Sequence, residues 1–233
     1  MKHMKGSIII PCLNSHEVVR RQILWLDSWM KPFSDRWDLV IVDDGSEPAI
    51  SIALSTNFNT ILIRIPPHLQ KWTHPKARNL GAEICQESEF LFFMDVDHIL
   101  TLEALSFADS FNDDMMRFPR RTGALDENGK LLTSDEDLLR FGATQSELGP
   151  VHKVAATTCL IRKTTQNAIG GFSEKFCGRY GHEDGDYRRR YEKHVIAGKC
   201  KPLEICSANI YVFPNPNANR QGLFHSLSRK KSP

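Results

Sequence analysis

Four short apolar runs, each passing into polar turn residues, constrain this chain most. They are "SIIIPCL" (Ser7–Leu13), "DLVIVDDGS" (Asp38–Ser46), "TILIRIP" (Thr60–Pro66) and "FLFFMDV" (Phe90–Val96). Their apolar residues are consecutive, as in strands covered on both faces, rather than alternating as in strands with one wet face. Helical stretches lie between them. Val19, Ile23, Leu26 and Met30 recur at helical spacing, and Pro75–Gln86 carries Ala77, Leu80, Ala82 and Ile84. Strands alternating with helices predict an α/β fold with a mostly parallel, Rossmann-like central sheet flanked by helices. In such sheets ligands bind beyond the carboxyl ends of the strands. That places Pro11–Asn14, Asp43–Asp44 and Asp95–Asp97 on one rim.

The second half is less regular. "DENGK" (Asp126–Lys130) reads as a tight turn, "TTCLIRK" (Thr157–Lys163) as a strand, and "HEDGDYRRRYEKHVIAG" (His182–Gly198) as a helix stopped by Gly198. "FPNPNANRQG" (Phe213–Gly222) reads as a loop. Neither a repeat nor a linker divides the sequence, so a single domain over residues 1–233 is expected.

Composition removes several function classes. The net charge is only +2, so nothing calls for nucleic acid. Apolar runs fall far short of the ~20 residues of a membrane-spanning helix, and "MKHMKG" lacks a secretory core. Six cysteines without a C-x-x-C pair exclude a zinc-ribbon pattern and fit a reducing cytoplasm.

Asp95 and Asp97 pose the chemical question. In a strand, residues i and i+2 face one side, and two close carboxylates repel unless a cation lies between them. Mg²⁺ and Mn²⁺ take such oxygen ligands together with phosphate oxygens. A structural alternative is that Asp97 or Thr101 caps the helix "TLEALSFADSF". A chemical alternative is the nucleophile loop of dehalogenase-type phosphatases, but Ile99 stands where those carry Thr or Val. "VDDGS" offers carboxylates to a base N–H or a ribose hydroxyl, or simply makes a turn. In "KARNLGA", Arg78 is suited to a carboxylate or phosphate partner, or to solvent.

"GGFSEKFCGRYGHEDGDYRRR" (Gly170–Arg190) combines backbone-permissive glycines, an aromatic face at Tyr180, and the acids Glu183, Asp184 and Asp186 at a helix start. An ionised Asp184 there is what a general base acting on an alcohol requires. The same acids also complement the helix dipole. Arg188–Arg190 reads as a solvated face, and His225 gains meaning only as a further metal ligand.

Taken together, "IIIPCLN", "VIVDDGS", "ARNLGA" and "FFMDVDHI" resemble the GT-A nucleotide-sugar glycosyltransferases of family 2. The stretch from Gly170 resembles the galactosyltransferase motif of family 7 and the chondroitin-type polymerases. The resemblance runs in order over about residues 6–190. It implies a nucleotide-sugar-binding half over about residues 1–100 and an acceptor-binding half, ending in a metal-site segment, over about 101–233. Pro11, Cys12, Leu13, Asp43, Asp44, Arg78 and Asp95 would bind the nucleotide-sugar. Asp95, Asp97 and His225 would hold Mn²⁺ or Mg²⁺. Asp184 would be the base, with Glu183 helping to hold the acceptor, and Gly171, Tyr180, Gly181 and His182 would line the acceptor. His182 and Gly185 depart from the motif, and His98 competes with His225 for the metal.

The implied activity is inverting transfer of a hexose or N-acetylhexosamine, of galactose or N-acetylgalactosamine type, from a UDP-sugar to a hydroxyl. The implied acceptor is a glycan or lipid-linked sugar in surface polysaccharide synthesis. The implied location is the cytoplasm, at the inner face of a bacterial membrane. A retaining transferase of the polypeptide N-acetylgalactosaminyltransferase type and a non-catalytic nucleotide-sugar-binding subunit are the alternatives.

Overall fold

The computed structural model describes residues 5–51, 55, 57–67, 73–148, 150–178 and 181–214. In chain order the elements are β1 (Gly6–Cys12), α1 (His16–Asp27), β2 (Trp37–Asp43), β3 (Thr60–Arg64), α2 (His74–Ile84), β4 (Phe90–Phe93), β5 (His98–Ile99), α3 (Leu102–Ser110), β6 (Met115–Thr122), β7 (Ala124–Leu125), β8 (Leu131–Leu132), α4 (Asp135–Phe141), β9 (Pro150–Arg162), α5 (Lys163–Ala168), α6 (Glu183–Ile196), β10 (Glu204–Ile205) and β11 (Ile210–Val212). Among the described residues one sheet runs β3-β2-β1-β4-β9-β6-β11-β5, with β10 also on β6.

Strands β3, β2, β1 and β4 are parallel neighbours, as the first half of the sequence predicts. β9 is antiparallel to both β4 and β6. The sheet is therefore mixed beyond its parallel first half, and it runs unbroken through both halves of the chain.

The uninterrupted apolar runs are explained by cover on both faces. Ile8, Ile10, Leu39, Ile41 and Phe92 pack with Val19, Ile23 and Leu26 of α1. Ile9, Val40, Val42, Leu91 and Phe93 pack on the other side with Ala77 and Ala82 of α2. α2 lies close on the sheet: a Cβ on Gly81 would meet Ile9 Cγ2 at 2.5 Å. That proximity is what the glycine of "ARNLGA" permits.

Two boundaries differ from the sequence reading. β4 ends at Phe93, not Val96, so Asp95 and Asp97 sit on a turn closed by His98 N–H to Asp95 O at 3.0 Å. The turn carries the chain off β4 and across to β11, where His98 pairs with Val212 and Ile99 with Tyr211. β9 is 13 residues long, far beyond the segment starting at Thr157: Cys159–Ile161 lie between β4 and β6, and the stretch before Thr157 runs on along β6, paired at Val154, Val151 and Pro150. "DENGK" does form the tight turn between β7 and β8, with Asp126 accepting from the N–H groups of Asn128 and Lys130. Among the described residues no helix is long and apolar enough to cross a membrane.

Candidate active site

The ends of β1 and β2 form one connected rim. Asp44 N–H donates to Cys12 O at 2.8 Å, Asn14 N–H to Ser46 Oγ at 2.8 Å, and Glu47 N–H to Asn14 Oδ1 at 2.9 Å. Gly45, at φ +87°, makes the sharp turn between these contacts. The two aspartates of "VDDGS" part company. Asp43 is fully buried and accepts from the N–H groups of Ser46 (2.9 Å) and Ile50 (3.0 Å), so its carboxylate builds the turn. Asp44 accepts from Thr73 N–H at 3.1 Å and from the Thr73 hydroxyl, which joins the rim to the start of α2. His74 Nε2 lies 3.4 Å from Pro11 O. Burial, then the charges of Asp43 and Asp44, hold the Cys12 thiol well above its ordinary range, so it stays neutral. Pro11, Cys12, Leu13 and Asp44 thus share one rim.

On the next loop, ligand atoms of Asp95, Asp97 and His98 lie within 4.8 Å of one another. Asp97 and His98 are buried. Thr101, not Asp97, caps α3, its hydroxyl accepting from Ala104 N–H at 3.1 Å. The structural alternative for Asp97 is thereby excluded. His98 Nδ1 contacts the Thr158 hydroxyl on β9, and His98 O accepts from Gln22 Nε2 at 2.7 Å. Two carboxylates and an imidazole suit Mn²⁺, and the carboxylates alone suit Mg²⁺. His225, the other candidate ligand, and Tyr180, the candidate sugar-stacking residue, lie outside the described residues.

α6 brings the acidic motif to the same place. His182 stands at its N-cap in the left-handed region, φ 77°, preceded by Gly181 at φ +84°. Of the acids in its first turn, Asp186 turns to Arg190 (2.8 Å) and Lys175 (3.6 Å), while Glu183 is buried. Asp184 accepts from Arg78 Nη1 at 3.1 Å, and Arg78 Nη2 donates to Asp95 at 2.6 Å. One buried guanidinium therefore joins the D-x-D loop to the Glu-Asp pair. Burial pushes Asp184 up to about 6, against the pull of Arg78.

Gly171, at φ +62°, lies against α2: a Cβ there would come 2.8 Å from Asn79 Oδ1. Asn79 clamps the adjoining backbone, accepting from Phe172 N–H and donating to Phe172 O, both at 2.8 Å. The sequence motifs quoted above contain Asn79 and Phe172 without marking either as functional. The available signal was adjacency, Asn79 following Arg78 and Phe172 following the paired glycines.

Comparison with known proteins gives the family and the fold. The glycosyl transferase family 2 profile matches residues 7–163, more than half of the chain. Among curated proteins there is no significant sequence match. Staphylococcus aureus TarS superposes with TM-score 0.55 at 17% identity, over 96% of this chain and 38% of TarS. TarS 1-349 in complex with UDP-GlcNAc gives 0.56 at 19%, over 91% and 59%. A Drosophila β1,4-galactosyltransferase 7 mutant in complex with manganese, UDP-Gal and xylobiose gives 0.52 at 10%, over 88% and 65%. This chain therefore spans less than two-thirds of each of these proteins, and at such identities the likeness is one of fold. With a profile match running from β1 to the end of β9, and the GT-A sheet carrying its motifs on one rim, the chain belongs to glycosyltransferase family 2.

Proposed function

We propose that this protein is an inverting, metal-dependent glycosyltransferase. It moves a hexose or N-acetylhexosamine, of galactose or N-acetylgalactosamine type, from a UDP-sugar to a hydroxyl of a glycan or lipid-linked acceptor in surface polysaccharide synthesis. The observation that carries this reading is the Arg78 bridge, which joins Asp184 to the Asp95 loop. The UDP-GlcNAc bound to TarS and the UDP-Gal and manganese bound to the galactosyltransferase support the donor class.

Pro11, Cys12, Leu13 and Asp44 line the base and ribose, and Asp43 holds their loop in shape. Asp95 and Asp97, with His98 beside them and His225 as a further candidate, would hold Mn²⁺ or Mg²⁺. Such an ion, when bound, neutralises the charge developing on the departing diphosphate. Arg78 takes one oxygen of Asp184, and the other receives the acceptor proton as the acceptor oxygen attacks the anomeric carbon. Attack from the face opposite the diphosphate forms the new C–O bond as the bond to UDP breaks, so configuration inverts. Gly171, Tyr180, Gly181 and His182 line the acceptor side, with Glu183 supporting it.

The test is a UDP-sugar panel with Mn²⁺, read as UDP released, with the anomeric coupling of the product measured by NMR. UDP release that needs Mn²⁺ and yields the opposite anomer is expected. A product of unchanged anomeric configuration would overturn the inverting mechanism, and binding without turnover on any acceptor would favour a non-catalytic subunit.

A further inference from the structure

Arg78 does more than face a ligand. It lies in α2 and is 1% exposed, yet it reaches carboxylates from two distant parts of the sequence: Asp95 at 2.6 Å through Nη2 and Asp184 at 3.1 Å through Nη1. The two terminal nitrogens of a guanidinium are fixed in one plane. Two carboxylates bonded to them are therefore held at a set separation, which the point charge of a lysine would not provide.

The guanidinium is itself held. Its carbon lies 4.8 Å from the centroid of the Phe172 ring. Phe172 stacks on Tyr187 at 4.1 Å with 6° between the planes. The Tyr187 hydroxyl donates to Gln166 Oε1, and the Arg190 guanidinium lies over the Tyr187 ring at 5.7 Å. Tyr187 stands three residues after Asp184 on α6, so the column that steadies Arg78 begins on the helix of the residue Arg78 bonds. Asn79, the next residue of α2, fixes the Phe172 backbone through two 2.8 Å bonds. "ARN" and "GGF…ED" therefore form one packed unit, closed on itself through Arg78, Asp184, Tyr187, Phe172 and Asn79.

We propose that Arg78 is a positioning residue for the transfer reaction: clamped on Phe172, it fixes the separation of Asp184 from Asp95 and so sets the base against the donor site. The proposal rests on the reading of Asp184 as the base. Displacing such a group by about 1 Å can cost on the order of 10²-fold in rate.

The experiment compares the unaltered protein with Arg78→Lys, Arg78→Gln, Phe172→Leu and Asp184→Asn. The reading is UDP release from UDP-galactose and from UDP-GlcNAc with Mn²⁺, alongside UDP affinity by calorimetry. Arg78→Lys should lower kcat by about 10²-fold and leave donor KM and UDP affinity within about threefold. Phe172→Leu leaves every bonding atom of the bridge in place and removes the flat face beneath it together with its stack on Tyr187. It should lower kcat by about tenfold with the same unchanged affinity, and it keeps the proposal testable should Arg78→Lys fail to fold. Arg78→Gln should move the acidic limb of the kcat/KM profile to higher pH, because Asp184 then faces the like charges of Asp95 and Glu183 without its cation. A purely structural role would leave that limb in place.

The proposal is overturned if Arg78→Lys keeps kcat within twofold. It is also overturned if UDP affinity falls in step with the lost rate, which would make Arg78 a nucleotide contact only. Normal transfer by Asp184→Asn would instead overturn the assignment of the base, whatever the Arg78 variants do.

Discussion

The carboxylate of Asp44 takes both the backbone N–H and the hydroxyl of Thr73, so the β2 rim and the first residue before α2 are joined at one buried point. Thr73→Val removes the hydroxyl bond and keeps the shape. Hydrogen bonds to charged groups contribute about 1.5–3 kcal/mol, so unfolding in urea should show a loss in that range. UDP affinity should weaken with it, because Asp44 loses a partner that orients it. Unchanged stability in the variant would mean that the joint carries no load.

Asp184 gives a pH dependence with a definite sign. Its folded value of about 6 lies above its ordinary value of 3.8. Between those values the folded protein binds more protons than the unfolded chain. The contribution of this group to stability is therefore greatest at low pH and is lost as pH rises through about 6. Activity runs the other way, since only the ionised form accepts a proton. With donor and acceptor saturating, the rate should rise through an acidic limb. Asp184→Asn should abolish that limb and lower kcat by about 10²–10⁴-fold, with UDP still bound.

The metal prediction separates the ligands from their support. Asp97→Ala should abolish the effect of Mn²⁺ on UDP affinity, measured by calorimetry with and without EDTA. His98→Ala removes a candidate ligand and should weaken Mn²⁺ binding in the presence of UDP by at least about 10–100-fold, the cost of losing even an outer contact. His225→Ala tests the remaining candidate in the same titration. Whichever histidine variant leaves Mn²⁺ affinity unchanged is removed from the site.

Two neighbouring glycines should respond differently to alanine. Gly170 and Gly171 both have positive φ, but a Cβ on Gly170 meets open space, whereas one on Gly171 comes within 2.8 Å of Asn79 Oδ1. Gly170→Ala should cost about 1–2 kcal/mol from backbone conformation. Gly171→Ala should cost more, because Asn79 must also release one of its bonds to Phe172. Denaturant midpoints of the two variants check the order, and equal losses would sink the account of the clamp.

The parallel half of the sheet was legible because double cover leaves a direct mark: consecutive apolar residues at Ile8–Ile10, Leu39–Val42 and Phe90–Phe93. What could not be read depends on partners far away in sequence. β4 stops at Phe93 because His98 and Ile99 are drawn to β11, more than a hundred residues on. The two-residue spacing of Asp95 and Asp97 implies that they converge, and they do, but on a turn rather than on a strand. The division of labour between Asp43 and Asp44 is equally silent in "VDDGS", because it depends on where Ile50 and Thr73 return. The bridging role of Arg78 required both carboxylates to be seen at once.

α2 and its cap carry three of these anchoring residues within two turns: Thr73 at the cap to Asp44, Arg78 to Asp95 and Asp184, and Asn79 to Phe172. A helix turns about 100° per residue. Insertion or deletion of one residue between Thr73 and Arg78 would swing Arg78 and Asn79 away from their partners while leaving Thr73 in place. The spacing of this short segment is therefore a gauge for the whole site, so that each side chain here tolerates replacement more readily than the chain tolerates a change in length.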